Sequence, residues 1–261
     1  MNIVRSNDGT LLAFDRSGDG PALILVGGAL SDRSAAAPLA ALLAPHFTVF
    51  AYDRRGRGDS SDTAPYAVAR EVEDLEAIIQ EAGGAAFVFG HSSGAALALE
   101  AACELGAKIK KLAVYEPPYM VAAGDPKPPA GHLEQIKQLL AGGRPGDAVE
   151  YFMTTVVGVP AEAVTPMRRA PTWARLEALA HTLVYDETIM GDNSFPGQRL
   201  ASVTTPVLAL DGGASPAWAG HATQAIADTL PDARRRTLAG QTHGAAPEVI
   251  APVLKAFFGS R

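Results

Sequence analysis

Cysteine is nearly missing: Cys103 stands alone among 261 residues. A single thiol excludes an internal disulfide and any multi-cysteine metal centre. Its place in the apolar run 95–105 predicts a small core residue and not a reactive thiol. Positive charge is also scarce. Lysine and arginine number 22 against 28 acidic residues, a formal net charge of −6, so the chain lacks the basic face that neutralising nucleic-acid phosphates requires. The one dense basic run, Arg234-Arg235-Arg236, has no interleaved aromatics on which bases could stack, and reads as a solvated edge-strand face. Nowhere do about eighteen apolar residues run uninterrupted, and the first residues show no basic segment leading into an apolar stretch. No nucleic-acid or membrane partner is expected, and the expected location is the cytoplasm.

The composition that remains is ordinary for a globular chain, 48% hydrophobic and 19% charged, in a length that suits one domain with an insertion. Strand candidates at 11–16, 22–26, 47–53, 86–90 and 110–115 alternate with helix candidates at 35–43, 66–81 and 93–105. That rhythm belongs to a mostly parallel sheet with helices on both faces. Continuous apolar stretches such as Leu23-Ile24-Leu25-Val26 suit strands covered on both sides. After Glu116 a group of prolines breaks the rhythm. From about 131 to 199 only helical segments are readable, at 132–140, 146–156, 161–168 and 173–183. Alternation then resumes with strand 207–210, helix 217–230, strand 234–238 and helix 248–258.

Gly90-His91-Ser92-Ser93-Gly94 stands where an apolar strand ends and a helix begins. Glycines on both sides allow a cramped turn that lifts the Ser92 hydroxyl clear of the strand, and the helix places positive dipole character nearby. Three further features accompany this elbow: Leu25-Val26-Gly27-Gly28-Ala29 after an early strand, Tyr52-Asp53-Arg54-Arg55-Gly56-Arg57-Gly58-Asp59-Ser60 after the next, and Gln241-Thr242-His243-Gly244 near the end. Together they make the chain resemble the α/β-hydrolase superfamily over almost its whole length. The resemblance implies a mostly parallel central sheet of about eight strands with helices on both faces. It also implies a core of 1–116 and 200–261, with a helical cap inserted at 117–199 after the sixth strand.

A serine hydroxyl is a poor nucleophile and needs a base within reach, usually a histidine. His46 and His221 fall in or beside helical surface segments, and His132 and His181 fall in the insertion, where they could line a pocket. His91, within the elbow, should turn its side chain away from that of its neighbour. His243 occupies the loop where the family keeps its catalytic base. The usual position of the acid, after the strand that follows the insertion, holds Ser215. Two carboxylates could replace it: Asp211 at the end of that same strand, or Glu116 at the end of the strand following the nucleophile helix. Glu116 is favoured, because certain haloalkane dehalogenases carry their acid at this earlier strand end.

The resemblance places the oxyanion-stabilising amides at Ala29 and Ser93. A serine nucleophile implies an acyl-enzyme, with no metal and no cofactor. The expected substrate is a small molecule, a carboxylic ester, lactone or related acyl compound of mainly apolar character, contacted by Gly28, Tyr119, Phe152 and Trp173. A carbon-carbon bond hydrolase of the diketone type, a lyase or cyclase, and a ligand-binding receptor remain open on the same scaffold. The sequence leaves the oligomeric state open.

Overall fold

Short apolar runs bounded by glycine and proline become the strands of one sheet in the computed structural model, which describes residues 1–259. The strands are β1 (Asn2–Arg5), β2 (Leu11–Ser17), β3 (Ala22–Val26), β4 (Thr48–Tyr52), β5 (Ala86–His91), β6 (Ile109–Tyr115), β7 (Val207–Gly212) and β8 (Ala233–Leu238). Their spatial order is β1-β2-β4-β3-β5-β6-β7-β8. The β1-β2 and β2-β4 pairs are antiparallel and the others parallel. This is the mostly parallel, eight-stranded sheet that the resemblance implied. β1 was absent from the strand candidates because its four residues bury almost nothing, so no hydrophobic alternation marks it.

Helices α1 (Ala37–Leu43), α2 (Val68–Glu81) and α3 (Ser93–Leu105) precede β6. Six more lie between β6 and β7: α4 (His132–Ala141), α5 (Pro145–Tyr151), α6 (Ala161–Arg168), α7 (Trp173–Leu179), α8 (Leu183–Met190) and α9 (Gly197–Leu200). α10 (Ala217–Thr229) and α11 (Pro247–Gly259) complete the order. The expected single helix at 173–183 is in fact α7, a tight turn at 180–182, and a separate α8. No glycine or proline punctuates this stretch, so the break is invisible to local pattern.

Two apolar layers flank the sheet. On one face Leu75, Ile78, Leu97 and Ile226 pack on Ile24, Val88 and Val114; on the other, Leu39, Leu43, Leu254 and Phe258 pack on Leu23, Leu25 and Ala113. α3 is buried nearly all round, and its run of alanines lets it sit close to β5 and β6. Phe152 to Val156 continue α5 as a π-helical turn, an irregularity often found at functional sites. The edge strand β8 carries exposed arginines at 234 and 236, while Arg235 pairs with Asp211.

Candidate active site

The parallel register of β5 and β6 sets His91 beside Tyr115, so the next residues, Ser92 and Glu116, emerge side by side at the strand ends. The Ser92 amide donates to the Tyr115 carbonyl at 2.9 Å, and the Glu116 amide to the Leu210 carbonyl of β7 at 2.9 Å. Both residues then leave the strand geometry, with φ of 56° at Ser92 and 46° at Glu116. Non-glycine residues hold such conformations only where their surroundings fix them. At the elbow the fixing is steric. A Cβ on Gly94 would lie 2.4 Å from the Gly27 carbonyl oxygen, and one on Gly28 would lie 2.9 Å from Ser92 Cβ.

His243 Nδ1 stands 2.7 Å from Glu116 Oε2, and Oε1 of the same carboxylate accepts from the Gly212 amide at 2.7 Å. A carboxylate oxygen only accepts, so Nδ1 carries a proton, and in the neutral imidazole Nε2 is then the nitrogen with the lone pair. Glu116 is fully buried. Burial alone would raise its pKa, but His243, the nearby Ser215 hydroxyl and the Gly212 amide outweigh it and hold the carboxyl below its ordinary value. The Ser215 hydroxyl, buried without a well-aligned hydrogen bond, thus lies against the carboxylate at Glu116. Asp211 is elsewhere. It accepts from Thr223 Oγ1 at 2.9 Å, Arg235 Nε at 2.9 Å and Thr237 Oγ1 at 3.0 Å, holding β7, β8 and α10 together.

Two more side chains anchor the His243 loop. The Tyr115 hydroxyl donates to the Thr242 carbonyl at 2.5 Å, and His91 Nε2 to the His243 carbonyl at 2.8 Å. His91 therefore shares the site, through the backbone of the His243 loop. Burial, and then the neighbouring His243, push its pKa down to about 4.

Ser92, His243, Gly28, Ala29 and Ser93 line one cavity of about 810 Å³. The segment between β6 and β7 supplies its apolar wall, including Phe152, Met153, Val156 and Leu176. Tyr119 and Trp173 do not reach it. Tyr119 is buried in the core beneath, with its ring edge-on to Phe195 at 5.7 Å. Trp173 packs among Val149, Val164 and Ala180 and donates its ring N–H to Glu177 at 3.0 Å. Both are large apolar residues whose burial closes helix contacts, so neither is a substrate contact. His132 and His181 are also off the cavity. His132 Nε2 lies 2.7 Å from Glu187 Oε2, and it is Glu187 that lines the wall. Burial and the adjacent Asp186 push the Glu187 carboxyl up to about 8.

The sequence reading assigned no role to a buried ionic cluster next to this site. Asp186 on α8 accepts from Arg54 Nη1 at 2.8 Å, Arg57 Nη2 at 2.8 Å and Ser93 Oγ at 2.8 Å. Arg54 is further clamped by both oxygens of Glu71, each at 2.7 Å. Arg57 is only 1% exposed. Among the described residues no group of three or more His, Cys, Asp or Glu side chains is arranged to hold a metal ion, and no helix is long and apolar enough to cross a membrane.

Residues 23–253 match the alpha/beta hydrolase family. The chain is similar to an alpha/beta hydrolase from Sphaerobacter thermophilus at 60% identity, with 98% of this chain and 100% of that one covered and a TM-score of 0.94. It shares its fold with a hydrolase from Pseudomonas aeruginosa, at 21% identity over 99% of this chain and 98% of that one, with a TM-score of 0.77. A thermophilic esterase from Thermogutta terrifontis aligns at 19% identity over 99% and 97% of the two chains, with a TM-score of 0.76.

Proposed function

The chain belongs to the alpha/beta hydrolase family, and on that premise we propose that it cleaves carboxylic esters or related acyl compounds through an acyl-enzyme on Ser92. The observation that carries this reading is the 2.7 Å bond between His243 Nδ1 and Glu116, formed at the edge of the cavity that also holds Ser92 in its strained turn.

The Ser92 oxygen attacks the acyl carbon while His243 Nε2 takes its proton. Glu116 keeps the proton on Nδ1 and stabilises the imidazolium that forms. The negative oxygen of the tetrahedral intermediate is held by the amides of Ala29 and Ser93. The second belongs to the first turn of α3, where backbone N–H groups lack helical partners. His243 then delivers its proton to the departing alcohol, and a water activated by the same nitrogen releases the acid. The segment 117–199 acts as a cap. Its Phe152, Met153, Val156 and Leu176 favour an uncharged, mainly apolar acyl or alcohol group.

A fluorophosphonate probe should label Ser92, and p-nitrophenyl esters should be hydrolysed by the wild type but not by Ser92→Ala. Labelling at another residue, or equal turnover in the alanine variant, would overturn the reading.

A further inference from the structure

Gly28 and Ala29 share one planar trans peptide, so the Gly28 carbonyl and the Ala29 N–H point in opposite directions. Whatever holds the carbonyl therefore aims the amide. Two donors hold it: Arg57 Nη1 at 2.5 Å and Ser31 Oγ at 2.6 Å. The preceding carbonyl, of Gly27, accepts from Arg54 Nη1 at 3.2 Å. Both guanidiniums are in turn gripped by one carboxylate, Asp186, which also takes the hydroxyl of Ser93 at 2.8 Å.

We propose that Asp186 is a positioning residue for both oxyanion donors, acting on the Ala29 amide through Arg57 and on the Ser93 amide through the Ser93 side chain. The inference rests on the serine-hydrolase reading above. It makes the oxyanion hole a joint product of core and insertion, since Asp186 lies on α8, between β6 and β7, while both donors lie in the core. The electrostatics agree with the geometry. A cation on a peptide oxygen polarises that peptide and strengthens its N–H as a donor. Burial would raise the pKa of Asp186, but Arg57 and Arg54 outweigh it and keep the carboxylate ionised.

A cluster that served stability alone would look much like this, and the same turn contains the control. Arg55 is as buried as Arg57 and is clamped by Asp74 at 2.7 and 2.8 Å and by Asp8 at 3.0 Å, yet it bonds neither the Gly27 nor the Gly28 carbonyl. Arg57→Lys retains the charge but loses the fork that spans Gly28 and Asp186 together.

The test measures kcat and KM on one p-nitrophenyl ester for wild type, Arg57→Lys, Asp186→Asn, Ser93→Ala, Arg55→Met and Ser92→Ala. It adds inhibition by a trifluoromethyl ketone, which forms the oxyanion on Ser92, and by its methyl ketone counterpart, which binds without doing so. Arg57→Lys and Asp186→Asn should lose roughly 10- to 100-fold in kcat at nearly constant KM. Inhibition by the trifluoromethyl ketone should weaken by the same factor, and that by the methyl ketone should hold. Ser93→Ala should lose roughly threefold to tenfold, having broken only the direct tie. Arg55→Met should lower Tm as much as the others while keeping its kcat. Where Asp186→Asn does not fold, Arg57→Lys and Ser93→Ala decide. Unchanged kcat in these two, or an equal kcat loss in Arg55→Met, overturns the proposal while the hydrolase reading stands. Absence of Ser92-dependent turnover in the wild type overturns both.

Discussion

Glu116 Oε2 and His243 Nδ1 meet at 2.7 Å and join the end of β6 to the loop after β8. In the proposed mechanism this pair sets the tautomer of the base. Glu116→Gln should therefore lower kcat by about 10³- to 10⁴-fold with little change in KM. Asp211→Asn, which weakens only the clamp on Arg235, Thr223 and Thr237, should retain activity and lower Tm. Steady-state kinetics and thermal melts on the two variants separate these outcomes.

Ser215 already touches the carboxylate of Glu116. Adding Ser215→Asp to Glu116→Gln places an acid on the β7 side of the same histidine, and a recovery of at least roughly tenfold in kcat over Glu116→Gln alone is expected. No recovery would mean that Asp at 215 cannot reach Nδ1.

Gly94→Ala puts a methyl group 2.4 Å from the Gly27 carbonyl oxygen and 2.5 Å from that of Val26, both backbone atoms that cannot swing aside. The start of α3 must shift, at a cost of about 1–3 kcal/mol in stability. Because the Ser93 amide moves with it, kcat should fall more steeply than Tm. Parallel melting and kinetic measurements would show this.

His91 has its pKa pushed down to about 4, against an ordinary value near 6.5. Between these values the unfolded chain binds a proton that the folded chain refuses, so stability falls as pH drops from about 6.5 to about 4 and levels off below. His91→Gln should flatten that part of the Tm-versus-pH curve. An unchanged slope would mean that other groups carry the acid sensitivity.

Phe152, Met153 and Val156 of the π-helical turn line the cavity. Val156→Trp should lower kcat/KM for long acyl esters by roughly tenfold or more relative to short ones. A panel of p-nitrophenyl esters reads this directly.

The alternation of apolar runs and the strand-turn-helix context of Ser92 are local features, and they were enough to place the sheet and the elbow. Glu116 was singled out through the resemblance to certain haloalkane dehalogenases, and the structure sets its carboxylate 2.7 Å from His243 Nδ1. Asp186, Arg54 and Arg57 were not. Charged side chains default to the surface, and the pairing of Asp186 with Arg54 and Arg57 that makes their burial tolerable spans 132 and 129 residues of sequence. Tyr119 and Trp173 failed for a related reason. Helical spacing tells which residues are buried but not whether the neighbour is a cavity or another helix, and here it was other packed side chains.

The position of Glu116 has a consequence for the order in which the site is assembled. The proposed nucleophile and acid both belong to one crossover unit, β5-α3-β6, whose contacts are short in sequence. Their spacing follows from that unit, while the Leu210 carbonyl and the Gly212 amide of β7, beyond the insertion, fix how Glu116 is held. His243, beyond β8, arrives last. The turn at Ser92 is thus built from strands that precede the insertion, whereas the carboxylate of Glu116 and the proposed base His243 are completed only by β7 and the loop after β8.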